Sequence, residues 1–204
     1  MSKNSNKNRG NFQFLLAMDC ETSGICFGGD DPSGNDKEEY QSVSWGLIVV
    51  DKELNEVDRK YIEIKWNGDS QWNAGAEKVH GLSLEHLEEH GLDEEEAVVE
   101  LVEFIDKWFG VETSICPIGH NVGFDVAFLN RLTRRHGISL KFANRMVDSF
   151  SVGFIGLGIM NSDELFEAVG CPKRDDHNAL VDIEYTLQSL RVLKAAFNKG
   201  LDLA

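Results

Sequence analysis

A chain of 204 residues that is 42% apolar and holds only three prolines can bury one well-packed domain, and it is too short for a second of any size. Its formal net charge of −15 opposes non-specific adhesion to polyanions. No apolar stretch approaches the roughly 20 residues of a membrane span, and the early run FQFLLAM lacks a small-residue cleavage site, so a soluble, cytoplasmic protein is expected. Cys20, Cys26, Cys116 and Cys171 show neither CxxC spacing nor paired histidines, which favours isolated thiols over disulfides or a zinc site.

Residues 1–11, MSKNSNKNRGN, are polar and aperiodic and read as a disordered tail, with a single domain expected over 12–200. The first strand is expected at about Phe12 to Asp19. From Gly24 to Asp36 the run GICFGGDDPSGND reads as a long irregular loop, placed where it could overhang whatever follows the strand. SVSWGLIVVD and VDRKYIEIKW are rich in β-branched and aromatic residues and are joined by the short turn KELNE, so three antiparallel strands are expected. Apolar residues at Ala97, Val98, Leu101, Val102, Ile105 and Trp108 predict a helix over Glu94 to Phe109, ended by Gly110. Ser114 to Ile118 reads as a short buried strand, and Phe124 to His136 as a helix stopped by Gly137. Val147 and Asp148 suit a further short strand, SDELFEAVG a capped helix from Ser162, and Val181 to Asn198 a long closing helix. Strands first, then alternating strand and helix, give a mixed α/β sheet with helices on its faces.

Five side chains carry a chemical signal. Asp19 and Glu21 are two residues apart in LAMDCETSG, and the period of a strand sends both carboxylates to one face. Carboxylates held so close raise each other's pKa unless a cation sits between them, which suits Mg²⁺ or Mn²⁺. Asp125, in GHNVGFDVAFLNR, falls at a helix N-terminus just beyond a strand. His177 and Asp182, in DHNALVDIEYT, would lie about 140° apart on a helix, so they share a site only if His177 precedes the helix. A histidine so placed, with an ordinary pKa of about 6.5, suits a general base. Each piece alone has a bland reading as a cap or a solvated acid; the joint occurrence carries the weight.

These segments resemble the DEDDh branch of the DEDD superfamily of 3′–5′ exonucleases, which includes the proofreading subunit of bacterial replicative polymerase and ribonuclease T. DCETSG is similar to its first motif, GHNVGFDVAFL to its second (Asn121, Phe124, Asp125), and HNALVD to its third, in the same order. The other branch carries tyrosine four residues before the last acid, where this chain has Asn178. The resemblance implies a ribonuclease H-like mixed five-stranded sheet with helices on both faces. It also implies two Mg²⁺ or Mn²⁺ ions: Asp19 touching both, Glu21 and Asp182 completing one shell, Asp125 reaching the other, and His177 deprotonating the attacking water. The implied reaction releases nucleoside 5′-monophosphates from 3′ ends.

KVHGLS, Lys78 to Ser83, is similar to a family segment bordering the nucleotide pocket, which makes His80 a candidate substrate contact beside Thr22, Ser23, Asn121 and Phe124. Phe128 is read as core. MVDSF also resembles a family strand, whose acid, here Asp148, is commonly structural. DNA is the favoured substrate. An exoribonuclease, a proofreading module dependent on a polymerase partner, and a homodimer stay open. The ten acids between Glu85 and Asp106 read as a solvated face, whereas residues 131–174 carry seven Lys or Arg against four acids.

Overall fold

The structure, a computed structural model, describes residues 12–25, 40–110, 113–174 and 176–201. The expected disordered tail and the expected loop beyond residue 25 lie outside the described residues. Five strands form one mixed sheet in the order β3-β2-β1-β4-β5. β1 (Leu15–Thr22) pairs antiparallel with β2 (Ser42–Val50), and β2 antiparallel with β3 (Glu56–Glu63). On its other side β1 runs parallel to β4 (Pro117–Gly119), and β4 parallel to β5 (Val147–Asp148). β1 therefore begins three residues later than the apolar run suggests, and Asp19 and Glu21 lie inside the strand rather than at its end.

The strand period divides β1 between two cores. Leu16, Met18 and Cys20 join Trp45, Leu47 and Val49 in a cluster with α3 (Glu94–Phe109) and α4 (Gly123–Arg135). Ala17 faces the opposite way and packs with Ile48, Val50, Ile118 and Ile183, Leu187 and Leu190 of α7 (Ala179–Leu201). Asp19 and Glu21 share the parity of Ala17, so they project on the side where α7 begins. Every residue of β2 is buried, as expected of a strand covered on both faces.

Three helices were not evident from periodicity. α1 (Ala74–His80) and α2 (Leu84–His90) are two-turn helices capped by Asn73 and Ser83, each burying a single side chain, His80 and Leu87. α5 (Ser149–Leu157) follows β5 directly, with Asp148 accepting from Phe150 N at 2.9 Å. α6 (Ser162–Ala168) is capped by Asn161 rather than by Ser162, through a 2.8 Å bond from Glu164 N. The buried extended stretch expected from Ser114 forms only a bridge at Ile115 before β4 starts at Pro117.

One glycine fixes how α7 meets the sheet. Gly46 pairs with Asp19 across the β1–β2 ladder, and a Cβ there would lie 2.5 Å from the Ala179 carbonyl carbon and oxygen and 2.6 Å from Leu180 N. All three atoms are backbone, which cannot rotate away. Gly46→Ala is therefore expected to lower stability by about 1–3 kcal/mol, the usual cost of forced overpacking. Urea denaturation measures it, and an unchanged midpoint would mean that α7 does not need this approach.

Candidate active site

Three different structural devices bring the acids together. Asp19 and Glu21 come from the face of β1 that α7 covers. Asp182 comes from the first turn of α7, whose start is fixed by Asn178: its Oδ1 accepts from Leu180 N at 3.1 Å and from Val181 N at 3.2 Å. Asp125 comes from the first turn of α4. The β1–β4 ladder runs only across Leu16 and Ala17; farther along β1, Cys20 N donates to Asp125 Oδ1 at 2.9 Å. The carboxylate of one helix thus completes the edge of the strand that carries two others.

The turn before α4 is itself held by an acid. Asp148 accepts from Asn121 N at 3.0 Å, Val122 N at 3.2 Å and Phe150 N at 2.9 Å. Asn121 sits at φ 58°, a left-handed conformation that asparagine tolerates better than most side chains. Asp148 is thus structural, a clamp between β5, α5 and the start of α4.

His177 lies two residues before α7. Its backbone N–H donates to Val79 O of α1 at 2.9 Å, and its Nδ1 is 3.2 Å from Asp182 Oδ2. The segment around KVHGLS therefore serves as a shelf for the loop that carries His177. His80 itself is buried, with Nδ1 accepting from Leu82 N at 3.0 Å and its ring edge-on to Trp72; Nε2 has no hydrogen-bond partner among the described residues.

Asp19, Glu21, Asn121, Phe124, Asp125, His177 and Asp182 line one pocket of about 170 Å³. Thr22, Ser23 and His80 are not among its lining residues. The Thr22 hydroxyl donates to Gly24 O at 2.8 Å; that of Ser23 donates to Gln71 O at 2.7 Å and accepts from Gln41 N at 3.1 Å. Phe128 is buried in the core, 4.8 Å from Phe124 between ring centroids. His120, Ser162, Phe166, Arg174 and Thr186 also line the pocket, although the motifs do not single them out.

Burial is the dominant electrostatic fact. It raises the Asp19 carboxyl well above the ordinary range, with Asp125, Glu21 and Asp182 adding repulsion. Burial and then Asp182 push Glu21 up to about 7, and burial pushes Asp125 up to about 8 against the opposing hydrogen bonds from Cys20. His177 is raised, chiefly by its hydrogen bond to Asp182. Hard oxygen donors that resist ionisation without a counter-charge fit a divalent cation. So does Glu21 Oε1, buried without a hydrogen-bond partner among the described residues. Ligand atoms of Glu21, His177 and Asp182 lie within 4.8 Å of one another, near enough to share an ion.

Comparison with known proteins gives the family. An exonuclease family model, the RNase_T family, matches residues 16–190, a span that takes in all five motif side chains. The 3′–5′ DNA exonuclease Cap18 of Escherichia coli is 30% identical over 132 residues, covering 62% of this chain and 71% of Cap18. Among solved structures, E. coli exonuclease I with single-stranded DNA and zinc ion superposes with a TM-score of 0.71 at 18% identity, over 94% of this chain and 42% of that one. Its complex with a dT13 oligonucleotide gives 0.73 at 17%, over 94% and 43%. The fold is therefore shared with exonuclease I, of whose length the chain spans less than half. The family match over most of the sequence, together with the five motif residues gathered at one pocket, makes the chain a member of the DEDDh-type 3′–5′ exonuclease family.

Proposed function

We propose that the chain hydrolyses DNA from its 3′ end, releasing nucleoside 5′-monophosphates, with two Mg²⁺ or Mn²⁺ ions held by Asp19, Glu21, Asp125 and Asp182. The observation that carries this reading is the convergence of four acids and one histidine on a single pocket, with a buried carboxylate oxygen that has no hydrogen-bond partner among the described residues. The likeness to Cap18, a DNA exonuclease, supports DNA as the substrate. Bound cations of this kind supply Lewis-acid activation of water and offset charge on the scissile phosphate.

The chain's own residues do the rest. Asp182 accepts from His177 Nδ1, which fixes the tautomer and makes Nε2 the proton acceptor for the attacking water. Val79 O holds the backbone of His177, so the base is positioned by α1 while its side chain stays about one-third exposed to the pocket. Asn121 and Phe124, at the turn clamped by Asp148, are placed to meet the terminal nucleotide, the ring of Phe124 offering a face for a base. Among the described residues no helix is long and apolar enough to cross a membrane.

The direct test uses 3′- and 5′-labelled single-stranded DNA and RNA of matched sequence, with Mn²⁺, Mg²⁺ or EDTA. Stepwise loss from the DNA 3′ end that requires metal is expected, and Asp19→Asn should reduce it to background while circular dichroism stays that of the wild type. Metal-independent cleavage, or full activity in Asp19→Asn, rejects the reading. His177→Ala should lower kcat by about 100- to 10,000-fold, with partial rescue by added imidazole; a kcat within threefold of wild type would remove His177 from the base role.

Stability should also report the acids. A carboxyl whose pKa is raised on folding binds its proton more tightly in the native state, so stability falls as pH rises from the unfolded value towards the folded one. The folded values of about 7 for Glu21 and about 8 for Asp125 place the last part of that loss near neutrality. In EDTA, Tm is expected to drop between pH 6.5 and 8.5; saturating Mn²⁺ should flatten the drop, and Asp125→Asn should reduce it. Differential scanning calorimetry decides, and a Tm that rises over this window contradicts the assignment.

A further inference from the structure

Within this carboxylate site lies one arginine that the proposed chemistry does not use. The Arg174 side chain is 9% exposed, and its Nη1 forms an ion pair with Asp182 Oδ1. Nη2 donates to Asp163 Oδ1 at 2.8 Å and to Ser162 Oγ at 3.3 Å, Nε reaches Asp163 Oδ1 at 3.2 Å, and the guanidinium lies 5.0 Å from the centroid of the Phe166 ring. Asp182 is thereby engaged on both oxygens, by Arg174 on Oδ1 and by His177 on Oδ2. Among the described residues no other Lys or Arg lines the pocket.

We propose that Arg174 is the protein's own counter-cation for these carboxylates, and that it competes with a divalent cation for Asp182 Oδ1. This inference rests on the reading that Asp182 is a metal ligand. The physical ground is exclusion. A carboxylate oxygen in contact with a guanidinium cannot accept a divalent cation at bonding distance without bringing two positive groups together in a buried, poorly screened place. The arginine must therefore move off Asp182 as the metal enters.

The surroundings give it somewhere to go. Arg174, Phe166 and His177 form the wall between the carboxylate pocket and an adjoining cavity of about 630 Å³, also lined by Asp163, Lys173 and Tyr185. Once off Asp182, the guanidinium still has Phe166 and the exposed carboxylate of Asp163 as partners. Charge neutralisation of the acids then passes from a protein side chain to the metal, so Arg174 acts as a positioning residue that sets metal affinity.

Isothermal titration of Mn²⁺ into the full chain tests this, using wild type, Arg174→Met, Arg174→Lys and Asp182→Asn, with thermal unfolding in EDTA alongside. Arg174→Met is expected to bind Mn²⁺ roughly tenfold more tightly, within the usual range for coupled sites, to lose Tm in EDTA, and to recover it with Mn²⁺. Arg174→Lys keeps the charge but reaches Asp182 less well, so it should fall between the two; if the Met variant does not fold, this variant carries the same comparison. Affinity equal to or weaker than wild type in a folded Arg174 variant overturns the competition and makes the arginine a strut that orients Asp182. If wild type binds Mn²⁺ and Asp182→Asn does not, such a result defeats this proposal alone. If wild type binds none, or Asp182→Asn binds as well as wild type, the metal-ligand reading falls with it.

Discussion

The site is organised by the repulsion among buried carboxylates. Glu21, Asp125 and Asp182 are buried and Asp19 half-buried at one place, and the fold must supply whatever keeps them there. It does so with geometry fixed in advance: β1 sets Asp19 and Glu21 by its period, Asn178 sets the start of α7 and so Asp182, and Cys20 N anchors Asp125. The close approach at Gly46 belongs to the same set, because it lets the backbone of α7 rest on the sheet opposite Asp19. Packing over the rest of the molecule supports a local arrangement that electrostatics alone would push apart.

Chain connectivity explains why four distant segments can do this. β1 lies at the centre of a sheet whose antiparallel half is local in sequence and whose parallel half, β4 and β5, arrives much later. α4 packs on the sheet face opposite α7, yet the start of the helix after β4 still reaches β1 at Cys20, beside the residues that face α7. Asp148 is the hinge of that half: one carboxylate ties β5, the first turn of α5 and the turn before α4. Its three backbone donors make it structural in the same neighbourhood where other acids serve chemistry. Acid type and proximity are not enough to separate the two roles; the hydrogen-bond partners are.

How much of this was legible in the sequence follows from which signals are local. The stripe from Ala97 to Trp108 with Gly110 behind it carries its own start, face and stop, and α3 spans the expected residues. α1 and α2 bury one side chain each and so leave no apolar period to read, although Asn73 and Ser83 cap them. α5 contains Gly153 and Gly156 among apolar residues all round, which gives neither propensity nor a face, and its start depends on Asp148 from the strand before it. Asp19, Glu21, Asp125, His177 and Asp182 were readable because strand period and helix starts fix their directions locally. The hydroxyls of Thr22 and Ser23 turn instead to Gly24 and Gln71 carbonyls, contacts made by backbone that no motif specifies. Arg174 was invisible for a related reason: its meaning comes from Asp182 and Asp163, which reach it from α7 and α6.

The net charge of −15 and the proposed polyanionic substrate are reconciled by distance and dielectric. The acidic helix α3 packs on the opposite sheet face from α7, and several of its acids are engaged: Glu94 with Arg135 at 2.8 Å, and Glu100 with Lys60. Fields from such exposed groups fade over about 8–10 Å at physiological ionic strength. Charges inside the pocket are poorly screened, and there the relevant balance is four acids against Arg174 and whatever cations enter. On the proposed function, then, salt and metal act on different parts of the problem. Salt weakens the repulsion that slows approach of the strand, whereas the divalent cations decide whether the site can hold a phosphate once it arrives. A site built from mutually repelling acids remains closed to an anion until its counter-charge is supplied, which couples binding of the phosphate to loading of the metal.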